Sequence, residues 1–144
     1  MIKINKKIEY AMIALKYIAT QEEGKLTSAR EICDRFHTPF DTTAKVLQVM
    51  NNKGLLSSTK GIKGGYTLTR PLSQITFTEL GRMIEGKESF GKFCENSKGV
   101  CDLYGICNIV TPIEVLNNKV NSFLSELTLE ELLMAEHAWA QKMY

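Results

Sequence analysis

No stretch of this chain approaches the roughly 20 consecutive apolar residues that cross a bilayer, so a membrane span is not expected. The opening, MIKINKKIEYAMIALKYIAT, places lysines ahead of apolar residues as an export signal does. Yet Glu9, Tyr10 and Lys16 interrupt the apolar run and no small-residue cleavage site follows, so it reads as a helix of a cytoplasmic protein. Internal repeats and low-complexity linkers are lacking. So are a phosphate-cradling loop and a nucleophile–base pair, and no enzyme is expected. The net charge is only +2. With 44% hydrophobic and 24% charged residues in 144, the composition is that of an ordinary globular domain with room for one appendage. One further lack poses a question. FCENSKGVCDLYGIC, residues 93–107, holds three of the four cysteines as C-x6-C-x5-C, with no fourth cysteine nearby. In a reducing compartment such thiols point to metal or redox chemistry rather than disulfides.

The small net charge hides an asymmetry. Residues 1–70 carry 12 Lys and Arg against 6 Asp and Glu, whereas residues 71–144 carry 6 against 10. A basic half beside an acidic half is the pattern of a surface that meets phosphate at one end.

Apolar positions Ile8, Ala11, Leu15, Ile18 and Ala19 recur at helical spacing and predict an amphipathic helix over residues 4–20, closed near Gly24. Thr27 or Ser28 is placed to cap a second, short helix containing Arg30, Glu31, Ile32 and Phe36, stopped by Pro39. Asp41 is the expected cap of a third, with Ala44, Leu47 and Met50 as its stripe and Gly54 at its end. LLSSTKGIKGGYTLTR, residues 55–70, has strand-favouring ends and a glycine-rich middle, which predicts a β-hairpin. Thr76 and Glu79 form a capping-box pattern for a fourth helix ending near Gly86. Pro112 suits the first turn of a long helix striped with Ile113, Leu116, Val120, Phe123, Leu124 and Leu127, and Thr128 with Glu131 starts a last one. The expected fold is mainly α with a small β-hairpin wing: a winged helix-turn-helix plus a long helix. The expected boundaries are 1–82 for the winged helix-turn-helix, 83–110 for the cysteine loop and 111–144 for the long and last helices.

A helix that reads DNA exposes short polar side chains near its start, and Thr42, Thr43 and Lys45 meet that need. A wing presents close backbone and positive charge to phosphates, which Lys60, Lys63, Gly64 and, at the hairpin's end, Arg70 supply. Each feature alone is also what an ordinary glycine turn with solvated lysines looks like; the combination favours double-stranded DNA. Cys33 reads as a small core residue of the second helix, His37 as a helix cap or phosphate contact, and His137 as a solvated side chain. The three loop cysteines also suit a zinc site or a thiol switch.

NNKGLLSSTKGIKGGYTLTR resembles the wing signature of the Rrf2 family of bacterial transcriptional regulators. The likeness extends through AKVLQ, KGGYTL, ITFTEL, the cysteine loop and LTLEEL, and so covers the whole chain. It implies a homodimer in which each winged helix enters one half-site of a pseudo-palindromic operator. The long helix makes the dimer interface through Leu116, Val120, Phe123, Leu124 and Leu127. Within the iron–sulfur-sensing, IscR- and NsrR-like branch, the resemblance also implies an iron–sulfur cluster, 2Fe-2S or 4Fe-4S, on Cys94, Cys101 and Cys107. This chain has six residues between the first pair where the family commonly has five, and Val110 where IscR-like members place a histidine. NsrR-like members use an acidic residue of the partner's first helix, and Glu9 falls there. The expected function is a regulator whose operator affinity follows the cluster. The alternatives are a metal-free thiol switch of the same fold and a small iron–sulfur electron-transfer or cluster-carrier protein.

Overall fold

Helix α1 (Lys6–Ala19) starts where the Asn5 side chain accepts a hydrogen bond from the Lys7 N–H at 2.9 Å. The computed structural model describes residues 4–86, 101–103 and 105–135. Helix α1 buries Ile8, Ala11, Ala14, Leu15 and Ile18, the expected stripe with Ala14 added and Ala19 only half-buried. A completely buried Ile or Leu contributes about 1.5–3 kcal/mol, so this face alone anchors the helix.

Helix α2 (Ala29–Phe36) is capped by Ser28, whose hydroxyl accepts from the Glu31 N–H at 3.1 Å. It ends at His37, which adopts a left-handed conformation (φ 54°) as the C-cap. Residues 37–39 form the turn into α3 (Phe40–Asn52). The expected cap at Asp41 is corrected: Pro39 occupies the N-cap position without a side-chain bond, and Asp41 lies within the first turn. There its carboxylate still faces the positive end of the helix dipole. Helix α3 buries Thr43, Val46, Leu47 and Met50 against α1 and α2.

Strands β1 (Leu56–Thr59) and β2 (Gly65–Leu68) pair antiparallel, with Leu56 opposite Leu68 and Thr59 opposite Gly65. The hairpin is fastened to the rest of the molecule by a third short extended piece. The Thr27 N–H donates to the Tyr66 carbonyl at 3.1 Å, and the Tyr66 N–H returns to the Thr27 carbonyl at 2.8 Å. Gly65 permits this approach, because a Cβ there would lie 2.7–2.9 Å from the Thr27 backbone.

Helix α4 (Phe77–Glu85) is capped by the Thr76 hydroxyl, which accepts from the Glu79 N–H at 3.2 Å. Its capping box is half made: the Glu79 side chain turns to Arg70. Helix α5 (Val110–Glu126) leads to α6 (Leu129–Leu133), where Thr128 and Glu131 form the complete box. Two backbone bonds, Phe77 N–H to Leu127 carbonyl (2.9 Å) and Leu129 N–H to Ile75 carbonyl (2.8 Å), fasten the α5–α6 junction to the start of α4. Leu124 and Leu129 thereby join the same hydrophobic core as Ile8, Leu47 and Leu80.

Candidate nucleic-acid interface and cysteine loop

Because Thr43, Val46, Leu47 and Met50 point inward, the outer face of α3 is made by Asp41, Lys45, Gln48 and Asn52, all exposed. Lys45 is exposed on this face. Thr43 is not: it is fully buried, and its hydroxyl donates to Thr38 Oγ1 at 2.9 Å. Reaching a base edge would require unpacking the helix, so Thr43 is corrected from a reading residue to a core one. Thr42 is half-buried and lines a cavity of about 190 Å³ with Lys7, Lys45, Val46, Val49 and Ile84. Gln48 and Asn52 escaped the sequence reading, which sought short polar residues only in the first turn. The inward set itself marks them, since they lie opposite it at helical spacing.

Between the second half of α3 and the hairpin runs an open polar groove of about 440 Å³. Gln48, Asn51 and Asn52 line one wall, Ser28 and Ala29 at the start of α2 close one end, and the hairpin from Ser58 to Tyr66 forms the other wall. Lys60 and Lys63 are exposed, and neither they nor Lys45 make an ion pair among the described residues. Gly64 has a steric role: a Cβ there would fall 2.1 Å from the Thr59 carbonyl oxygen. Arg70 departs from expectation. Its guanidinium is paired with the Glu79 carboxylate and donates to the Gln74 carbonyl at 2.6 Å, so its charge is already engaged within the chain.

The turn between α2 and α3 is stiffened from both sides. Inside, the Thr38 hydroxyl donates to Cys33 Sγ at 3.5 Å, which agrees with the reading of Cys33 as a core residue. Outside, Phe36 meets Tyr17 edge-on at 5.4 Å and the Arg30 guanidinium lies 4.8 Å over the Phe40 ring. The Tyr17 hydroxyl donates to Glu31 at 2.8 Å, and this bond, ahead of desolvation, raises the Tyr17 pKa above its ordinary value.

In the cysteine loop, Cys101 is exposed, Cys107 is half-buried, and both are free thiols. Cys94 and His137 lie outside the described residues. Glu9 is half-buried on α1 and accepts from Lys6 Nζ at 2.6 Å. Among the described residues no three His, Cys, Asp or Glu side chains converge, so Glu9, Cys101 and Cys107 of one chain do not form a donor set by themselves. The chemistry of the set suits iron and sulfide all the same, since thiolates are the usual ligands of iron–sulfur clusters and Cys101 and Cys107 lie in one accessible loop. The stripe on α5 divides: Leu124 is buried, Val120 and Leu127 pack partly against the chain's own core, and Leu116 (45% exposed) and Phe123 (64%) face outward. Leu103, Ile106, Ile109 and Val115 are exposed apolar neighbours in the loop and early helix. No helix among the described residues is long and apolar enough to cross a membrane.

A family model described as Rrf2, iron-dependent transcriptional regulator, matches residues 4–135. Among solved structures, the chain is similar to CymR, the global cysteine regulator of B. subtilis, at 24% identity and a TM-score of 0.71, covering 93% of this chain and 98% of that one. The oxidized form of Staphylococcus aureus CymR matches at 23% identity and a TM-score of 0.65, covering 91% and 95%. IscR of T. potens matches at 22% and 0.65, covering 93% and 88%. At these identities the structural likenesses speak for the fold.

Proposed function

Since the chain belongs to the Rrf2 family of transcriptional regulators, we propose that it binds a pseudo-palindromic DNA operator as a homodimer, under the control of an iron–sulfur cluster. The observation that carries the DNA reading is the groove between α3 and the wing, lined by Lys60, with Lys45 exposed on α3 and Lys63 exposed in the wing turn, none of the three ion-paired among the described residues. Gln48 and Asn52 present amide groups along the same face, the side chains that read adenine through its major-groove edge. The test is selection of duplexes from a random pool, followed by titration in increasing salt. Affinity falling steeply with salt supports the reading, and a flat response or no selected duplex refutes it.

For control, Cys94, Cys101 and Cys107 would hold the cluster (2Fe-2S or 4Fe-4S), with Glu9 of the partner subunit as the weaker oxygen donor. That set needs two chains, because Glu9 would be supplied by the partner subunit's first helix. When bound, the cluster supplies a tie between two subunits that oxidants, nitric oxide or iron scarcity can break. Glu9 must exchange its bond to Lys6 for the shared site, and that leaves Lys6 free to meet solvent or phosphate. Anaerobic purification with absorption spectrum and iron and sulfide assay tests this reading.

A metal-free thiol switch is the second reading. It is favoured by the exposed, free thiol of Cys101 and by the likeness to a cysteine regulator with an oxidized form. A colourless, iron-free protein that loses DNA affinity reversibly with oxidant would select it.

A further inference from the structure

The wing tip carries a residue that the fold does not use. The Gly64 N–H donates to the Gly61 carbonyl at 3.0 Å, which makes Ile62 and Lys63 the two central residues of a tight turn. Ile62 is 107% exposed, more than any other large hydrophobic side chain among the described residues. A β-branched apolar residue is poorly suited to a turn and gains nothing in water. Its neighbours Lys60, Gly61, Lys63 and Gly64 are the polar and small residues such a turn prefers. The isoleucine therefore stands between two exposed lysines, in the turn of a two-stranded hairpin that is anchored close to that turn by the Tyr66–Thr27 bonds.

Resting on the DNA reading above, we infer that Ile62 is an apolar wedge that enters the minor groove beside the half-site and opens a base step there. The groove between α3 and the hairpin decides which side of the backbone the tip occupies. Besides the base-reading amides of α3 it is lined by Ser28, Asn51, Ser58, Thr59 and Lys60, donors suited to a sugar–phosphate strand. A strand seated there has α3 on one side, in the major groove. The hairpin tip then lies on the other side, over the minor groove. Phosphates and groove edges offer an isoleucine little, but the faces of a partly unstacked base step are apolar. Isoleucine is among the side chains that enter such steps, and the insertion bends the duplex. Lys60 and Lys63 would hold the two flanking phosphates while Ile62 enters.

The experiment uses the full-length protein, purified anaerobically, and a duplex recovered from a random pool by the wild type. Affinity is read by fluorescence anisotropy and bending by energy transfer between the duplex ends. Ile62→Ser is expected to bind roughly 10-fold more weakly, as loss of one buried side chain implies. It should bend the duplex less and keep the wild-type salt slope. Ile62→Leu is expected to retain both. Since Ile62 touches nothing in the fold, the variants should melt with the wild type. The inference is overturned if Ile62→Ser binds and bends like the wild type while Lys63→Ala loses affinity; the DNA reading then stands alone. It is also overturned if replacing thymine by uracil throughout the duplex weakens the wild type but weakens Ile62→Ser no further, because Ile62 would then contact the thymine methyl in the major groove. A wild-type protein that selects no duplex overturns the DNA reading itself.

Discussion

Two cations of the hairpin region look alike in sequence and differ in their partners. Arg70 is held by Glu79 and the Gln74 carbonyl, whereas Lys63 is exposed without an acidic partner among the described residues. Arg70→Ala should therefore lower the melting temperature by a few degrees, in line with the loss of a partly exposed pair and one charge-assisted bond worth about 1 kcal/mol together. It should leave the salt slope of DNA binding unchanged. Lys63→Ala should do the reverse, leaving melting intact and reducing the slope by about one unit per wing. Salt titrations and thermal melts of both variants separate the two roles. Thr43→Val keeps the shape of a fully buried residue and removes its bond to Thr38, so a cost of about 1 kcal/mol in denaturant melts is expected, with duplex preference retained. Tyr17 gives a pH signature. Its pKa is raised in the folded state by the bond to Glu31, so the protonated phenol is the stabilising form. That contribution is complete below the ordinary tyrosine pKa and is lost as pH rises through the raised one. Tyr17→Phe should lose less stability than the wild type on going to strongly alkaline pH, measured by denaturant melts across that range.

At the scale of elements, α5 is a helix with two apolar edges. One edge, Leu124 with Val120 and Leu127, belongs to the chain's own core, and the other, Leu116 and Phe123, faces outward. The sequence stripe could not divide them, because helical periodicity reports that a face is apolar and not what covers it. Leu124→Ala should cost about 2–3 kcal/mol of stability through the cavity it leaves, whatever the oligomeric state. Phe123→Glu should leave the secondary structure intact. If α5 pairs with a second copy, it should shift the sedimentation profile to monomer. A Phe123→Glu protein that stays dimeric would place the interface elsewhere. The wing shows a similar division of labour. Gly65 lets Tyr66 reach Thr27, and Gly64 avoids the Thr59 carbonyl, so both glycines serve the hairpin's own packing.

Across the whole molecule, the basic half holds α3 and the wing, and the acidic half holds α5 and α6. On the proposed reading, DNA phosphate would be met by the basic half rather than the acidic one. The proposed cluster adds a second long-range requirement, that Glu9 and the cysteines come from different chains. Mixing subunits tests it without relying on activity. Cys101→Ser homodimers should fail to assemble the cluster, and Glu9→Ala homodimers should assemble one that bleaches faster, since a carboxylate is the weaker donor to iron among thiolates. A heterodimer of the two variants should recover one site of wild-type lability, because one intact loop then faces one intact Glu9. If both sites of the heterodimer stay defective, the ligands come from the same chain. Iron per dimer and bleaching rate by absorbance decide between them.

What the sequence determined by itself was local. The α1 stripe, the Ser28 cap, the hairpin with its glycine turn, the Thr128–Glu131 box and the burial of Cys33 follow from periodicity and short-range hydrogen bonding. These depend on residues three or four apart, so the chain order displays them. The basic, polar character of the candidate interface was legible for the same reason, from Lys45, Lys60 and Lys63. Only the tertiary structure decided which polar residues face out. Thr43 is short, polar and near a helix start, yet it is enclosed by α1 and α2 packing on α3; Gln48, a turn later, is exposed. Arg70 finds Glu79 nine residues away because the turn after the hairpin folds the start of α4 back toward it. Leu124 is drawn into a core begun by Ile8 more than a hundred residues earlier. Burial and charge pairing are settled by neighbours distant in the chain, and no local pattern carries their identity.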